Sequence, residues 1–228
     1  MFETPIINER LREIAPGFRA VSIHVDASSA GQVSLDPSVL VQACDLAIAG
    51  GPDWADAHLA SWADTYIRFG AKPNRTPCSA QALRRRVVKD GGLPSINPVV
   101  DLYNAISLKY AIPVGGENYD AYVGRPFLTI ADGTETFETM TNGVAANDPP
   151  VPGEVIWRDD VGVTCRRWNW RQGTRTRLEA ASGRMWFILE ALETMPGDAL
   201  TEASGEMAVV LERLMPGCKI LTTPVGLA

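Results

Sequence analysis

Three groups of polar side chains fall where apolar residues are expected, and each suggests a chemistry. The first lies in LPSINPVVDLYNAISLKY, residues 93–110. Val99, Leu102, Tyr103, Ile106 and Tyr110 have the spacing of one buried helical face. Asn97, Asp101 and Asn104 follow at steps of four and three on a second face. An amide can donate and accept at once, so Asn104 on such a stripe could face a pocket and fix a ligand. The structural alternative has Asn97 capping the helix while Asp101 and Asn104 hold neighbouring loop amides.

The second group is VTCRRWNWRQGTRTR, from residue 163. Taken as a strand, it places Arg167, Asn169 and Arg171 on one face and Arg166, Trp168 and Trp170 on the other. Guanidinium pairs with phosphate and an aromatic ring stacks on a base, so the pattern suits a nucleotide. With Arg175 and Arg177 it is the densest positive patch in the chain. The competing reading is a Trp core face whose arginines pair with acids. The third feature is Glu190, an acid inside the apolar run WFILEAL. Buried, it would be a general base with a raised pKa or the partner of an arginine; at a strand end it would face solvent. Gly115 and Gly116, in VGGEN, form a turn too short for a dinucleotide or Walker fingerprint. They still permit close approach of a ligand to the backbone.

The elements that must position these residues run in a helices-first order. A strand is expected over Arg19 to Val25, then a helix opened by Asp36 and Pro37 and ended by Gly50-Gly51. Trp54, Ala57 or His58, Trp62, Tyr66 and Phe69 recur at helical spacing and are expected to form a core stripe. Ser79 is expected to cap a short helix carrying Arg84, Arg85, Arg86 and Lys89, a basic run that is either a solvated face or a phosphate contact. Asn97 caps the next helix, with Pro98 at its first position. Two strand-like runs flank Asp132-Gly133 as a hairpin, and a second hairpin turns near Asp159 to Gly162. Between them, NGVAANDPPVPGE is expected to be a loop. GRMWFILEALE is an apolar strand, and the tail carries an amphipathic helix with Leu200, Ala203, Met207, Val210, Leu211 and Leu214 on one side. Helices, then strands, then a helix indicate an α+β single domain.

Composition narrows the function. Of 228 residues, 46% are hydrophobic and 21% charged, a balance that supports a full core without disulfides. A net charge of -6 argues against a protein that coats nucleic acid generally, though not against a local basic patch. The four cysteines include no C-x-x-C pair and there are only two histidines, so no metal site and no Ser-His-Asp arrangement is expected. Glu154, Asp159 and Asp160 suggest a turn rather than a cation site. The N-terminus lacks the pattern of a signal peptide and no apolar run reaches membrane-spanning length, so a soluble cytoplasmic protein without cofactor is expected.

INPVVDLYNAISLKYAIPVGGENYD resembles the signature of the B-three/B-four domain of the phenylalanyl-tRNA synthetase β chain, its editing domain. The family's pattern there is Asn-x-Val-Val-Asp-Val-Thr-Asn-Tyr, then a Pro and soon an Asp. PGEVIWRDDVGV and FILEAL resemble later parts of the same domain, and the likeness covers roughly residues 15–215. The resemblance implies one domain, a β-sandwich of unusual topology flanked by helices, in which the ester of a mischarged amino acid is cut from the 3′ end of its tRNA without a metal. It places the family's pocket Asn on Asn104 and its pocket Glu on Glu190, as catalytic residues. Beside it, the polar stripe, the glycine pair and the Arg-Trp stretch read above put Asn97, Asp101, Gly115, Gly116, Trp168 and Asn169 near the substrate, and Arg166, Arg167 and Arg171 near the tRNA. Where the family has Pro-Leu-His-Ala-Phe-Asp, this chain has PVGGENYD, so the pocket His becomes Gly115 or Gly116. The family's small Ala-Gly pair falls near Arg167 and Trp168. A different side chain from tyrosine is therefore implied for the substrate. The alternatives are a tRNA- or RNA-binding module without chemistry, and a pocket recruited for a small anionic metabolite.

Overall fold

The computed structural model describes residues 2–179 and 181–227. Strand β1 (Ile6–Ile7) and the short helix α1 (Leu11–Ile14) lead into β2 (Arg19–Asp26). Four helices follow: α2 (Ser38–Ile48), α3 (Ala55–Arg68), α4 (Ser79–Asp90) and α5 (Pro98–Tyr110). Next come β3 (Val114–Asn118), a 3-10 turn (Tyr119–Ala121), β4 (Phe127–Ile130), β5 (Glu138–Thr141), β6 (Val144–Asn147), β7 (Val155–Arg158), β8 (Val163–Arg166), β9 (Arg171–Gln172) and β10 (Arg184–Ala191). Helix α6 (Gly197–Leu214) and β11 (Lys219–Gly226) close the chain.

Two sheets face each other. One has the order β1-β4-β7-β8-β9, the other β11-β2-β10-β3, and β5-β6 is a separate hairpin. The period-two alternation of β10 builds both sides of the second sheet. Met185, Phe187, Leu189 and Ala191 meet α5 and α6, where Leu200, Ala203, Met207 and Leu211 recur at helical spacing. Trp186, Ile188 and Glu190 turn the other way, toward Leu128, Val155 and Trp157 of the first sheet. Leu59, Trp62 and Tyr66 of α3 complete that inter-sheet core. The result is the α+β sandwich flanked by helices that the sequence suggests, and no helix among the described residues is long and apolar enough to cross a membrane.

Several local expectations are corrected. VGGEN is strand β3, at the edge of its sheet, rather than a turn. The hairpin expected at Asp132-Gly133 forms instead at Asn142-Gly143, both in the left-handed region (φ 52° and 79°), between β5 and β6. At Asp132-Gly133 the Glu135 carboxylate accepts both N–H groups, at 3.0 and 2.9 Å, and makes a loop. The stretch after Asn142 is therefore partly strand β6. Strand β11, which carries Pro224 and an alternating exposed pattern, had no counterpart in the sequence reading. Ser79 is the first residue of α4 rather than its cap; Cys78 takes the cap position without a side-chain bond.

Candidate functional site

The expected strand from Val163 to Arg171 does not form. β8 ends at Arg166, and Arg167 and Trp168 both adopt left-handed backbone angles (φ 46° and 64°). Such angles are uncommon without glycine and need outside support. Glu154 supplies it: its Oε1 accepts from the Arg167 N–H (3.0 Å), while the Trp168 N–H donates to the Val155 carbonyl (2.6 Å). The two turned residues redirect the chain, so the alternation of Arg and Trp faces is lost. Trp168 becomes fully buried and Arg167 points outward, a quarter exposed.

This turn places Trp168 and Asn169 beside Glu190, whose carboxylate receives three N–H donors. Oε1 accepts from the Trp157 and Trp168 indoles (3.0 and 2.8 Å), and Oε2 accepts from the Asn169 amide (2.9 Å). Asn169 is oriented in turn by the Tyr66 hydroxyl, which donates to its Oδ1 at 2.9 Å. No arginine or lysine pairs with Glu190 among the described residues. Burial therefore dominates and pushes its pKa up to about 7, with the three donors pulling the other way. Glu190 is neither a strand-end surface acid nor an arginine partner.

Glu190 forms part of the floor of a cavity of about 340 Å³ between the two sheets, roofed by α4 and α5. Asn104 of α5, Gly115 and Gly116 of β3, and Trp168 and Asn169 of the turn line the same cavity. Asn104 is half-buried and its amide has no hydrogen-bond partner among the described residues. The Gly116 carbonyl accepts from the Gln172 side chain and the Asn118 N–H donates to Thr176, both away from β10. Antiparallel alternation then sends the Gly116 N–H to that same side, away from β10, and commits the Gly115 N–H to β10.

The two glycines are not equivalent. A Cβ at Gly116 would lie 2.9 Å from the Phe187 ring and 3.0 Å from Leu178, inside the helix-side core. A Cβ at Gly115 would point to the cavity side and meet only the Ile188 Cγ2, at 3.2 Å. Gly116→Ala is expected to lower stability by about 1–3 kcal/mol through overpacking, whereas Gly115→Ala should leave it within about 0.5 kcal/mol and narrow the cavity. Paired thermal melts check this; equal losses for the two variants would refute the assignment of faces.

Other expected site residues lie elsewhere. Asn97 caps α5, its Oδ1 accepting from the Val99 and Val100 N–H groups. Asp101 is buried and accepts from the Ser95 hydroxyl and the Ile96 N–H. Both are outside the cavity, which fits their structural alternative and not substrate contact. Arg166 is buried and forms a two-point pair with Glu154 (2.9 and 2.8 Å), so the phosphate role expected for it does not fit its position. Arg175 is likewise held by Asp159, which also accepts from the N–H groups of Val123, Val161 and Gly162. Arg167 and Arg171 remain at the surface, their guanidinium carbons 4.4 and 5.9 Å from the Trp170 ring centroid. Arg167 also joins Lys72 and Arg75, with Glu154, around a second groove of about 270 Å³.

The structure adds residues that the sequence did not single out as site residues. Glu117, on the inter-sheet side of β3, receives the Tyr122 hydroxyl and is pushed by burial up to about 7. Trp157, Trp186 and Tyr103 supply aromatic wall, and Arg86 stands exposed beside it on the face of α4 that also carries Ser79 and Leu83. Only Arg86 had a signal, the basic run of α4. Cys165 also faces the cavity, but burial pushes its thiol well up, with Glu117 and Glu190 adding to the effect, so it is no thiolate nucleophile. Among the described residues no group of three or more His, Cys, Asp or Glu side chains is placed to hold a metal.

Among the solved structures to which this fold is similar is an N-terminal fragment of the phenylalanyl-tRNA synthetase β-subunit from Pyrococcus horikoshii. The two share 12% identity with a TM-score of 0.47. The alignment covers 99% of this chain and 56% of that one, so this chain spans little more than half the fragment's length. No curated protein matches. A family model for the B3/4 domain matches residues 61–196, a span that includes every residue lining the cavity, and the chain belongs to the B3/4 domain family.

Proposed function

We propose that the protein binds the aminoacylated 3′ end of a tRNA in this cavity and hydrolyses the ester in trans. The observation that carries the reading is convergence. Asn104, Gly115, Gly116, Trp168, Asn169 and Glu190 come from four separate segments and line one cavity. The resemblance to the synthetase editing domain places the family's pocket Asn and Glu on Asn104 and Glu190, its pocket His on Gly115 or Gly116, and its small pair near Trp168; Asn169 is read from the Arg-Trp stretch.

In this reading the acyl group enters between the sheets, and Asn104, whose amide has no hydrogen-bond partner among the described residues, fixes the terminal ribose or the amino group. A water attacks the ester carbonyl carbon, and Glu190, near neutrality, accepts the water's proton. The Gly116 N–H meets the charge that develops on the carbonyl oxygen. The C–O bond to the ribose then breaks and the proton passes to the departing ribose oxygen. Outside, a base stacks beside Trp170, and Arg167, Arg171, Lys72 and Arg75 meet the phosphates.

A second reading, a binding module without chemistry, is favoured by two facts. Glu190 has no exposed surface, and glycine stands where the family pocket has histidine. The test is a panel of all charged tRNAs. Turnover of at least one acyl-tRNA is expected, falling about 100-fold or more in Asn104→Ala with binding retained. Arg167→Ala should weaken binding and reduce its salt dependence by about one ion. Binding without turnover on any charged tRNA would leave the module; absence of binding at low salt would reject both readings.

A further inference from the structure

The cavity holds two carboxylic acids, and among the described residues neither is in an ion pair, although the exposed Arg177 stands across the backbone bridge from Glu117. Glu190 is bonded to two indoles and an amide, and Glu117 to the Tyr122 hydroxyl. Their neighbours in the wall are aromatic: Trp157, Trp168, Trp170 and Trp186, with Tyr103 on the α5 side. The one basic residue of the lining, Arg86, is exposed and lies near Asp90. Buried acids without a counter-charge are costly in their ionised form, and the π faces of tryptophan add attraction for the same sign of ligand charge.

The spacing of the acids adds a constraint. Glu117 lies opposite Trp186 in the ladder between β3 and β10, and Glu190 is four residues further along the same face of β10. At the rise of an extended strand, the two backbone positions are about 13 Å apart. Side chains reaching inward from both ends leave room for two positive groups joined by a short aliphatic chain. Asn104, and the Ser79 hydroxyl, which is buried and has no partner among the described residues, supply polar contacts on the helical side.

We propose that the cavity selects a dicationic acyl group, two ammonium ions on a short aliphatic chain as in the ester of a basic amino acid, with one ammonium held toward Glu190 and the other toward Glu117 among the tryptophan rings. This rests on the reading of the cavity as the aminoacyl site, and it names the substrate class that the tRNA panel should find. An acid that ends the cavity would discriminate strongly against a neutral chain. The site's charge is then left unpaired and desolvated in the wrong complex.

The test uses three amides that cannot be cut as esters and carry no tRNA. L-lysinamide has both ammonium ions, L-norleucinamide lacks the side-chain one, and 6-aminohexanamide lacks the α one. Titration calorimetry near neutral pH is expected to give tightest binding for lysinamide and at least about tenfold weaker binding for each of the others. Glu117→Gln and Glu190→Gln should each abolish one of these two preferences, with circular dichroism confirming that the variants are folded. Norleucinamide binding as tightly as lysinamide would overturn the dication proposal and leave the cavity as a ligand site. No binding by any of the three would remove the cavity reading itself.

Discussion

Between about pH 5 and pH 8, Glu190→Gln is expected to gain on the order of 3 kcal/mol of stability relative to the parent protein, measured by denaturant unfolding at each pH. The Glu190 carboxyl has its pKa raised from 4.5 to about 7 by burial. A folded-state pKa above the unfolded value means that the folded chain binds the extra proton. That contribution is fully present below pH 4.5 and is lost as pH rises through 7. At 1.36 kcal/mol for each unit, the loss is about 3 kcal/mol. Glu117, raised over the same range, adds a similar loss.

The parent protein itself should show a nearly level profile over most of this window, because two histidines oppose the two acids. His58 and His24 are buried and their pKa values fall from 6.5 to about 4. For them the unfolded chain binds the extra proton, so their contribution to stability grows as pH rises through that range. His58 shows why it stays neutral. Its Nε2 accepts from the Trp62 indole and the Leu192 N–H, which leaves Nδ1 to donate to the Ala111 carbonyl. The diagnostic quantity is therefore the difference between variant and parent. If that difference is constant to within about 0.5 kcal/mol across the window, Glu190 is ionised throughout and cannot accept a proton near neutrality. Glu190→Ala should be destabilised at every pH, since it orphans two buried indole N–H groups and an amide.

What could be read from the sequence follows from the range of the forces involved. Helix α5 was legible because its cap, its first proline and its apolar stripe all lie between Asn97 and Tyr110. Asn104 and Glu190 stood out for a related reason, as polar groups in locally apolar settings. Glu117 did not, because a short edge strand with two consecutive glycines, Gly115 and Gly116, has the local signature of a turn. The sequence reading takes Asp132-Gly133 as the hairpin and the stretch from Asn142 as a loop, although Asn142-Gly143 carries an equal local signal; the Glu135 carboxylate, by taking the first pair's N–H groups, leaves the hairpin to the second. The turn at Arg167-Trp168 was beyond any local pattern. Its supports are the Glu154 carboxylate, the Val155 carbonyl and the Glu190 carboxylate, each twelve or more residues away.

That turn makes Arg166 the second large effect. Arg166→Met is expected to lower stability by about 3–5 kcal/mol, because it leaves the Glu154 carboxylate, 2% exposed, without its two-point partner. Glu154 also holds the Arg167 N–H, so the loss should reach the site through the left-handed turn that places Trp168 and Asn169. The double variant Arg166→Met with Glu154→Leu should recover part of the loss, since no buried charge is then unpaired. It should not restore the turn, whose N–H acceptor has gone. A double-mutant cycle by denaturant unfolding gives the coupling, and the near-ultraviolet circular dichroism of the tryptophans reports the turn. If Arg166→Met unfolds at the parent midpoint while tRNA binding falls, Arg166 serves the ligand as the sequence first suggested. If stability falls and Arg167→Ala alone weakens tRNA binding, adjacent arginines with the same local signature divide into one that folds the site and one that meets the ligand.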